Sequence, residues 1–200
     1  KYWYYMWRNR RFIAMKRIIF ISNNPIKFNY FSENVKINNF IFEQKKTETS
    51  ELQADNNRII AEFSAQWAAK KLQEPVIKED VGVYIESLNR FPGPFINSIE
   101  NKIYAEGFIK LLEGSENRNA YWEYAIAFCE PDKSPISFYT HQRGTISYEK
   151  RGNSGFEMDK IFIPEGQTQT TAELLDENKY IRNNSHYKDL KEYLEKLNEQ

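Results

Sequence analysis

Arg17-Ile18-Ile19-Phe20-Ile21-Ser22-Asn23-Asn24-Pro25-Ile26-Lys27 decides how this chain folds. Its first five residues form a short, largely β-branched apolar run, which reads as a buried strand. Asn23-Asn24-Pro25 then breaks it, and Pro25 stands where a first helical turn tolerates proline. With Lys27-Phe28-Asn29-Tyr30-Phe31 continuing as helix, the segment is strand, tight loop, helix. Working outward, Phe40-Ile41-Phe42 suggests a second strand, and 45–50 is polar loop. Between Asp55 and Leu72 the residues Ile59, Ile60, Phe63, Trp67 and Ala68 recur at helical spacing, with Asp55 as the expected N-cap. Pro75-Val76-Ile77 opens another strand running through Asp80 toward Ile85, and Arg90-Phe91-Pro92-Gly93-Pro94 marks a turn. A helix is expected over 103–112, ending at Gly114, followed by strands at 120–129, 136–141, 144–148 and 161–163 and an amphipathic helix over 185–197. Helices alternate with strands early and hairpin-like strands dominate late, so the expectation is an α/β domain with a mixed sheet.

The 200 residues suit one domain, or one domain with a small lobe. Aromatics make up 16% and apolar residues 40%, enough for a substantial core, which excludes disorder as the overall description. The formal net charge is zero, yet Lys1, Arg8, Arg10, Arg11, Lys16 and Arg17 place six positive charges in the first 17 residues, leaving the remainder mildly acidic. Such a body has no broad field to attract nucleic acid. Residues 1–15 are expected to stand apart, as an unstructured basic and aromatic extension or an artefact of the assigned start, because Met15 would make a natural first residue; 16–200 would be the single domain. No apolar stretch approaches the roughly 18 residues that span a bilayer, and the start does not resemble a signal peptide. Cys129, the one cysteine, sits in an apolar run and is expected as a buried thiol in a reducing, cytoplasmic setting.

Several polar residues interrupt this apolar framework. The loop of Ser22, Asn24 and Lys27 could bring backbone N–H groups, an amide and an ammonium onto one phosphate, or be a plain surface turn. Glu79 and Asp80 lie in a strand otherwise made mostly of Val, Ile and Gly. Buried carboxylates need a partner or a metal, so Glu51 and Asp80 could hold Mg²⁺ against a polyphosphate, with one also taking a proton from water. The alternative is an edge strand facing water. Alternation places Asp80, and not Glu79, on the side of Tyr84. Phe156 could stack on a nucleobase and Asp159 could hydrogen-bond it, or Phe156 could be core. His186, at the head of the last helix, could be a cap or surface residue.

Taken in order, these elements resemble the inosine triphosphate pyrophosphatase family, which hydrolyses non-canonical purine nucleoside triphosphates to monophosphate and pyrophosphate. The resemblance runs from about Arg17 to Leu197. It rests on Ser22-Asn23-Asn24-Pro25-Ile26-Lys27, Glu51-Leu52-Gln53, Pro75-Val76 with Glu79-Asp80 and Gly82, Phe91-Pro92-Gly93-Pro94, Arg151-Gly152, Phe156 to Asp159, Lys179, and Ser185-His186. It implies a two-lobed α/β fold with a long mixed sheet flanked by helices, a cleft between lobes, Mg²⁺ dependence and a homodimer. On the matching positions, Ser22, Asn24 and Lys27 would hold phosphates, Glu51 would place Mg²⁺, and Asp80 would activate water or bind metal. Phe156 and Asp159 would contact the purine, and Lys179, Ser185 and His186 would close over the nucleotide.

The chain departs from the pattern at five places. Val81 replaces a Ser or Thr, Ser64 a lysine, Met158 an aromatic, Lys160 a proline and Tyr187 the arginine that contacts the base. Five residues instead of three separate Lys179 from Ser185, so Arg182 could take the place of Lys179. These changes motivate a second reading, a protein of the same fold that binds a nucleotide without cleaving it.

Overall fold

The computed structural model describes residues 15–47 and 52–199. Strand β1 (Lys16–Ile21), helix α1 (Pro25–Asn34) and strand β2 (Phe40–Lys45) realise the expected strand, loop and helix. They are followed by α2 (Asn57–Leu72), β3 (Val76–Ile85), the short β4 (Pro92–Gly93) and α3 (Ile96–Leu111). The hairpin β5 (Asn119–Cys129) and β6 (Ile136–Ile146), β7 (Phe162–Pro164), α4 (Thr171–Asp176) and α5 (Ser185–Glu199) complete the chain. One seven-stranded sheet runs in the order β2-β1-β3-β5-β6-β7, with β4 added beside β3. The pairs β2–β1 and β1–β3 are parallel, and the remaining pairs are antiparallel. The mixed α/β expectation is met.

Three apolar clusters pack the two faces. On one face, Ala61, Ala65, Ala68 and Ala69 of α2 lie on Ile19, Ile21, Val76, Ala125 and Ala127. These small side chains let a helix pass close to the sheet. The other face carries two cores. Phe20, Phe31, Ile77, Ile126 and Phe128 meet Tyr187, Leu190 and Leu194 of α5 at one end. At the other end Val83, Ile85, Trp122 and Phe162 meet Ala105 and Phe108 of α3. The long strands β3 and β5 serve both.

Some boundaries differ from the sequence expectation. Asn56, not Asp55, caps α2, its side chain accepting from the N–H groups of Arg58 and Ile59 at 2.9 and 3.3 Å. Helix α3 begins at Ile96 and runs through a kink at Tyr104, its first half packing Ile96, Ile99 and Ile103 on the core. The strands expected at 136–141 and 144–148 are one strand, because the ladder to β5 continues through Gln142 and Arg143. Helix α4 was not anticipated, although Thr170 and Glu173 form its capping box. Cys129 is a buried free thiol, as expected. The N-terminal extension lies outside the described residues except for Met15. Among the described residues, no helix is long and apolar enough to cross a membrane.

Candidate functional site

The site forms where the sheet changes direction. Strand β1 sends its chain through α1 to β2 on one side, and the chain returns through α2 to β3 on the other. The two helices cover opposite faces. The carboxyl end of β1 is therefore a topological switch point, the place where open α/β sheets receive ligands. Here β1 stops at Ile21, opposite Lys78, whereas β4 rejoins the same edge of β3 only at Val83. Between them the edge from Glu79 to Gly82 has no neighbouring strand.

Lys27, from the first turn of α1, reaches into this gap. Its Nζ donates to the Glu79 carbonyl at 3.4 Å and lies 3.7 Å from Glu79 Oε2. The loop behind it is well ordered by its own side chains. Asn24 Oδ1 caps α1 by accepting from Ile26 and Lys27 N–H, and Ser22 Oγ accepts from Asn24 N–H at 3.1 Å. Two of the helix N–H groups expected to meet phosphate are thus satisfied internally.

Alternation sends Glu79 and Asp80 to opposite faces, and their surroundings differ. Glu79 is 4% exposed on the face of α5. It accepts from Tyr187 Oη at 3.1 Å, and His186 Nε2 stands 3.8 Å away. Burial opposes its charge, but Lys27, His186 and Arg182 outweigh burial and hold its pKa below the ordinary carboxylate value. For Asp80 burial prevails over Lys27 and Asn57, so its pKa is raised. Asn57 Nδ2 donates to Asp80 Oδ2 at 2.6 Å, and the Val81 N–H also acts on this carboxylate. Adjacent carboxylates with pKa values moved apart suit an ionised anchor beside a proton acceptor. β3 is interior, which removes the alternative of an edge strand facing water.

Arg182 lies on the α5 face, its charge reaching both Glu79 and Asp159. Its guanidinium stacks over Tyr30 and Tyr124, 4.7 Å from each ring centroid. Burial disfavours that charge, yet Tyr124, Tyr180 and Glu79 outweigh it and keep Arg182 protonated. Asp159 accepts from Phe156 N–H at 2.8 Å, and burial raises its pKa. Gly155, at φ 80°, permits this turn, since a Cβ there would stand 2.5 Å from Asp159 Oδ2.

The sequence-derived residues are therefore only partly gathered. Lys27 and His186 gather with Glu79 and Arg182, whose charge also reaches Asp159, whereas Asp80 lies on the α2 face and is reached from this group by the Lys27 charge. His186 is wholly buried and stacked against Tyr124, neither a cap nor a surface residue, and neither ring nitrogen has a hydrogen-bond partner. Phe156 is half exposed and not core. Ser185 Oγ donates to Thr140 Oγ1 at 2.8 Å. Lys179, with its side chain 66% exposed, pairs with Glu177 instead of a site carboxylate. Ser64 is buried in α2, and Val81 packs against the α3 core. Glu51 lies outside the described residues. Sequence reading missed Asn57, Tyr30, Tyr124 and Tyr180, and also the pair of half-buried His141 and buried Glu123 at 2.7 Å on the Asp80 face; of these, cross-strand alternation could have signalled Glu123 and His141.

The Ham1 family model matches residues 18–189. The chain belongs to this family. Relatives of this Ham1 chain include the dITP/XTP pyrophosphatase of Methanopyrus kandleri, 40% identical over 79% of this chain and 84% of that protein. The dITP/XTP pyrophosphatase of Methanosarcina mazei is 40% identical over 82% of this chain and 89% of its own length. Among solved structures, the Ham1 protein of Staphylococcus aureus superposes with a TM-score of 0.75 at 28% identity, covering 90% of this chain and 98% of its own. The family expected from the motifs, and its fold, are both borne out.

Proposed function

We propose that this Ham1 chain is a metal-dependent nucleoside triphosphate pyrophosphohydrolase. It cleaves non-canonical purine nucleoside triphosphates of the dITP, ITP and XTP type to the monophosphate and pyrophosphate. The observation that carries the reading is the opening in the β3 edge, where the Lys27 charge reaches two carboxylates whose pKa values are moved in opposite directions. The named activity of the archaeal relatives supports the same substrate class.

In this reading Lys27 offsets charge on the polyphosphate and the Ser22–Asn24 loop fixes its approach. Asp80 takes the proton from a water attacking the α-phosphorus, the α–β bridging P–O bond breaks, and pyrophosphate departs. Glu79 stays ionised and anchors Lys27, His186 and Tyr187. Arg182, with Asp159 and Phe156, meets the base end, replacing the guanidinium that Tyr187 lacks. The carboxylates of Asp80 and Glu51 are hard oxygen donors of the kind a divalent cation takes, and among the described residues no three His, Cys, Asp or Glu side chains form a cluster of their own. Asp80 with Glu51 would hold Mg²⁺, which when bound supplies charge neutralisation to the polyphosphate and eases deprotonation of water. The reading extends to a homodimer in a cytoplasmic setting, consistent with the buried free thiol of Cys129.

The test is pyrophosphate release from dITP, ITP, XTP and the common nucleoside triphosphates with Mg²⁺, for the wild type and Asp80→Asn. Release from the first three that disappears in the variant is expected. Tight calorimetric binding with intact nucleotide recovered, or release unaffected by Asp80→Asn, refutes the hydrolase assignment.

A further inference from the structure

Beneath the carboxylate lies a second arrangement that the proposed chemistry does not itself require. Asp80, Gly82 and Tyr84 occupy alternate positions of β3 and face α2 together. Across them sits Asn57, the first residue of that helix, wholly buried. Its Nδ2 donates to Asp80 Oδ2 at 2.6 Å, and its Oδ1 accepts from Tyr84 Oη at 2.5 Å. The amide occupies the space that Gly82 leaves, for a Cβ there would come within 2.4 Å of Asn57 Oδ1 and 3.0 Å of the Gly93 backbone.

Turned over, the amide would set Oδ1 against the Asp80 carboxylate and forfeit that bond. Burial, and then the negative charge of Glu123, push the Tyr84 pKa up, so the phenol remains an O–H donor at working pH. A phenol that donates fixes Oδ1, and Oδ1 fixes Nδ2 on the carboxylate. The Tyr84 ring is in turn stacked on Tyr121 at 5.0 Å, and Arg90 lies over its other side at 4.9 Å. Next to this polar bridge α2 meets the sheet through alanines. An apolar residue at 57 would match that packing but take the amide away from Asp80 Oδ2 and the Tyr84 hydroxyl.

We propose that Asn57, seated over Gly82 and locked by the Tyr84 hydroxyl, is a positioning residue that fixes the Asp80 carboxylate for the attack on the polyphosphate. The inference rests on the reading of Asp80 as the group that takes the proton from water. With Oδ2 committed to Asn57, the rotation of the carboxylate is set and the other oxygen is left for the reaction.

The experiment combines steady-state kinetics on dITP with the NMR signal of the Asn57 side-chain amide. Asn57→Leu is expected to lower kcat by about tenfold or more while KM stays within about threefold, the mark of a contact that matters in the transition state. Tyr84→Phe is expected to lower kcat less and to move the amide signal, and adding it to Asn57→Leu should cost little more, since the two act as one unit. Gly82→Ala should act in the same direction. A kcat within about twofold of wild type in Asn57→Leu, with Asp80→Asn inactive, overturns the proposal. If Asn57→Leu does not fold, Tyr84→Phe carries the test, and unchanged kcat overturns the proposal likewise. An amide signal unmoved by Tyr84→Phe overturns the contact, whereas turnover that survives Asp80→Asn overturns the reading of Asp80, so the two failures are distinguishable.

Discussion

Lys27→Met removes the cation that faces Glu79 and keeps a side chain of similar length. Breaking a buried ion pair by deleting one partner costs about 3–5 kcal/mol. Here the Lys27 side chain is 25% exposed, the nitrogen–oxygen distance is 3.7 Å, and Tyr187 and His186 stay in place. A cost at or just below the bottom of that range, about 2–3 kcal/mol at neutral pH, is therefore expected. In a domain of this size that lowers Tm by about 4–12 °C. The effect must depend on pH. In the wild type the folded pKa of Glu79 is depressed, so its contribution to stability is present above the unfolded value of 4.5 and is lost as pH falls through the folded value. Without Lys27, burial moves the pKa upward, and the variant folds with Glu79 protonated at mildly acidic pH. The gap between the two proteins should widen from about pH 4 upward and level off near neutrality. Urea denaturation at about pH 4 and about pH 7.5 measures it. A gap equal at both, or below about 0.5 kcal/mol at the higher pH, refutes the reasoning.

Three further outcomes follow from the same geometry. Because burial raises the Asp80 pKa, ionised Asp80 costs stability above that pKa, so Asp80→Asn should raise Tm at neutral pH while abolishing turnover; an unchanged or lower Tm in a scanning calorimeter counts against this. Arg182→Met removes the guanidinium held between Tyr30 and Tyr124, and the KM for dITP should rise by about tenfold or more. Arg182→Lys should not restore it, since an ammonium cannot stack as a planar guanidinium does. The buried Arg118 donates to the carbonyls of Ile146, Leu112 and Ser147 at 2.7, 3.1 and 2.8 Å. Arg118→Met leaves the Ile146 and Ser147 carbonyls without this donor, while Leu112 keeps the Ser115 N–H at 3.1 Å, and should cost about 2 kcal/mol or more, read by urea denaturation, with KM unchanged in whatever fraction folds.

Much of this was legible in the chain because local chemistry carried it. The run from Arg17 to Ile21 is apolar enough to be an interior strand wherever its neighbours lie, and Pro25 and Asn24 stop the strand and start the helix by steric and capping effects within a few residues. The order of phosphate loop, acidic pair, glycine and terminal Ser-His was enough to name the family. Period-two alternation alone places Asp80 with Tyr84.

Other features were decided only by the tertiary structure, because they depend on residues distant in sequence meeting across the sheet. That β3 is interior but open along one edge between Glu79 and Gly82 follows from where β1 stops and β4 begins, and no local signal records those ends. The sequence offered Arg182 only as a stand-in for Lys179 and gave no signal for Asn57. Their significance arises when Tyr30 and Tyr124 close around the one and Asp80 and Tyr84 around the other. The opposite protonation tendencies of Glu79 and Asp80 have the same origin. Neighbours in sequence, they face different sides of the sheet, and only the fold supplies one with Lys27, His186 and Tyr187 and the other with the buried amide of Asn57.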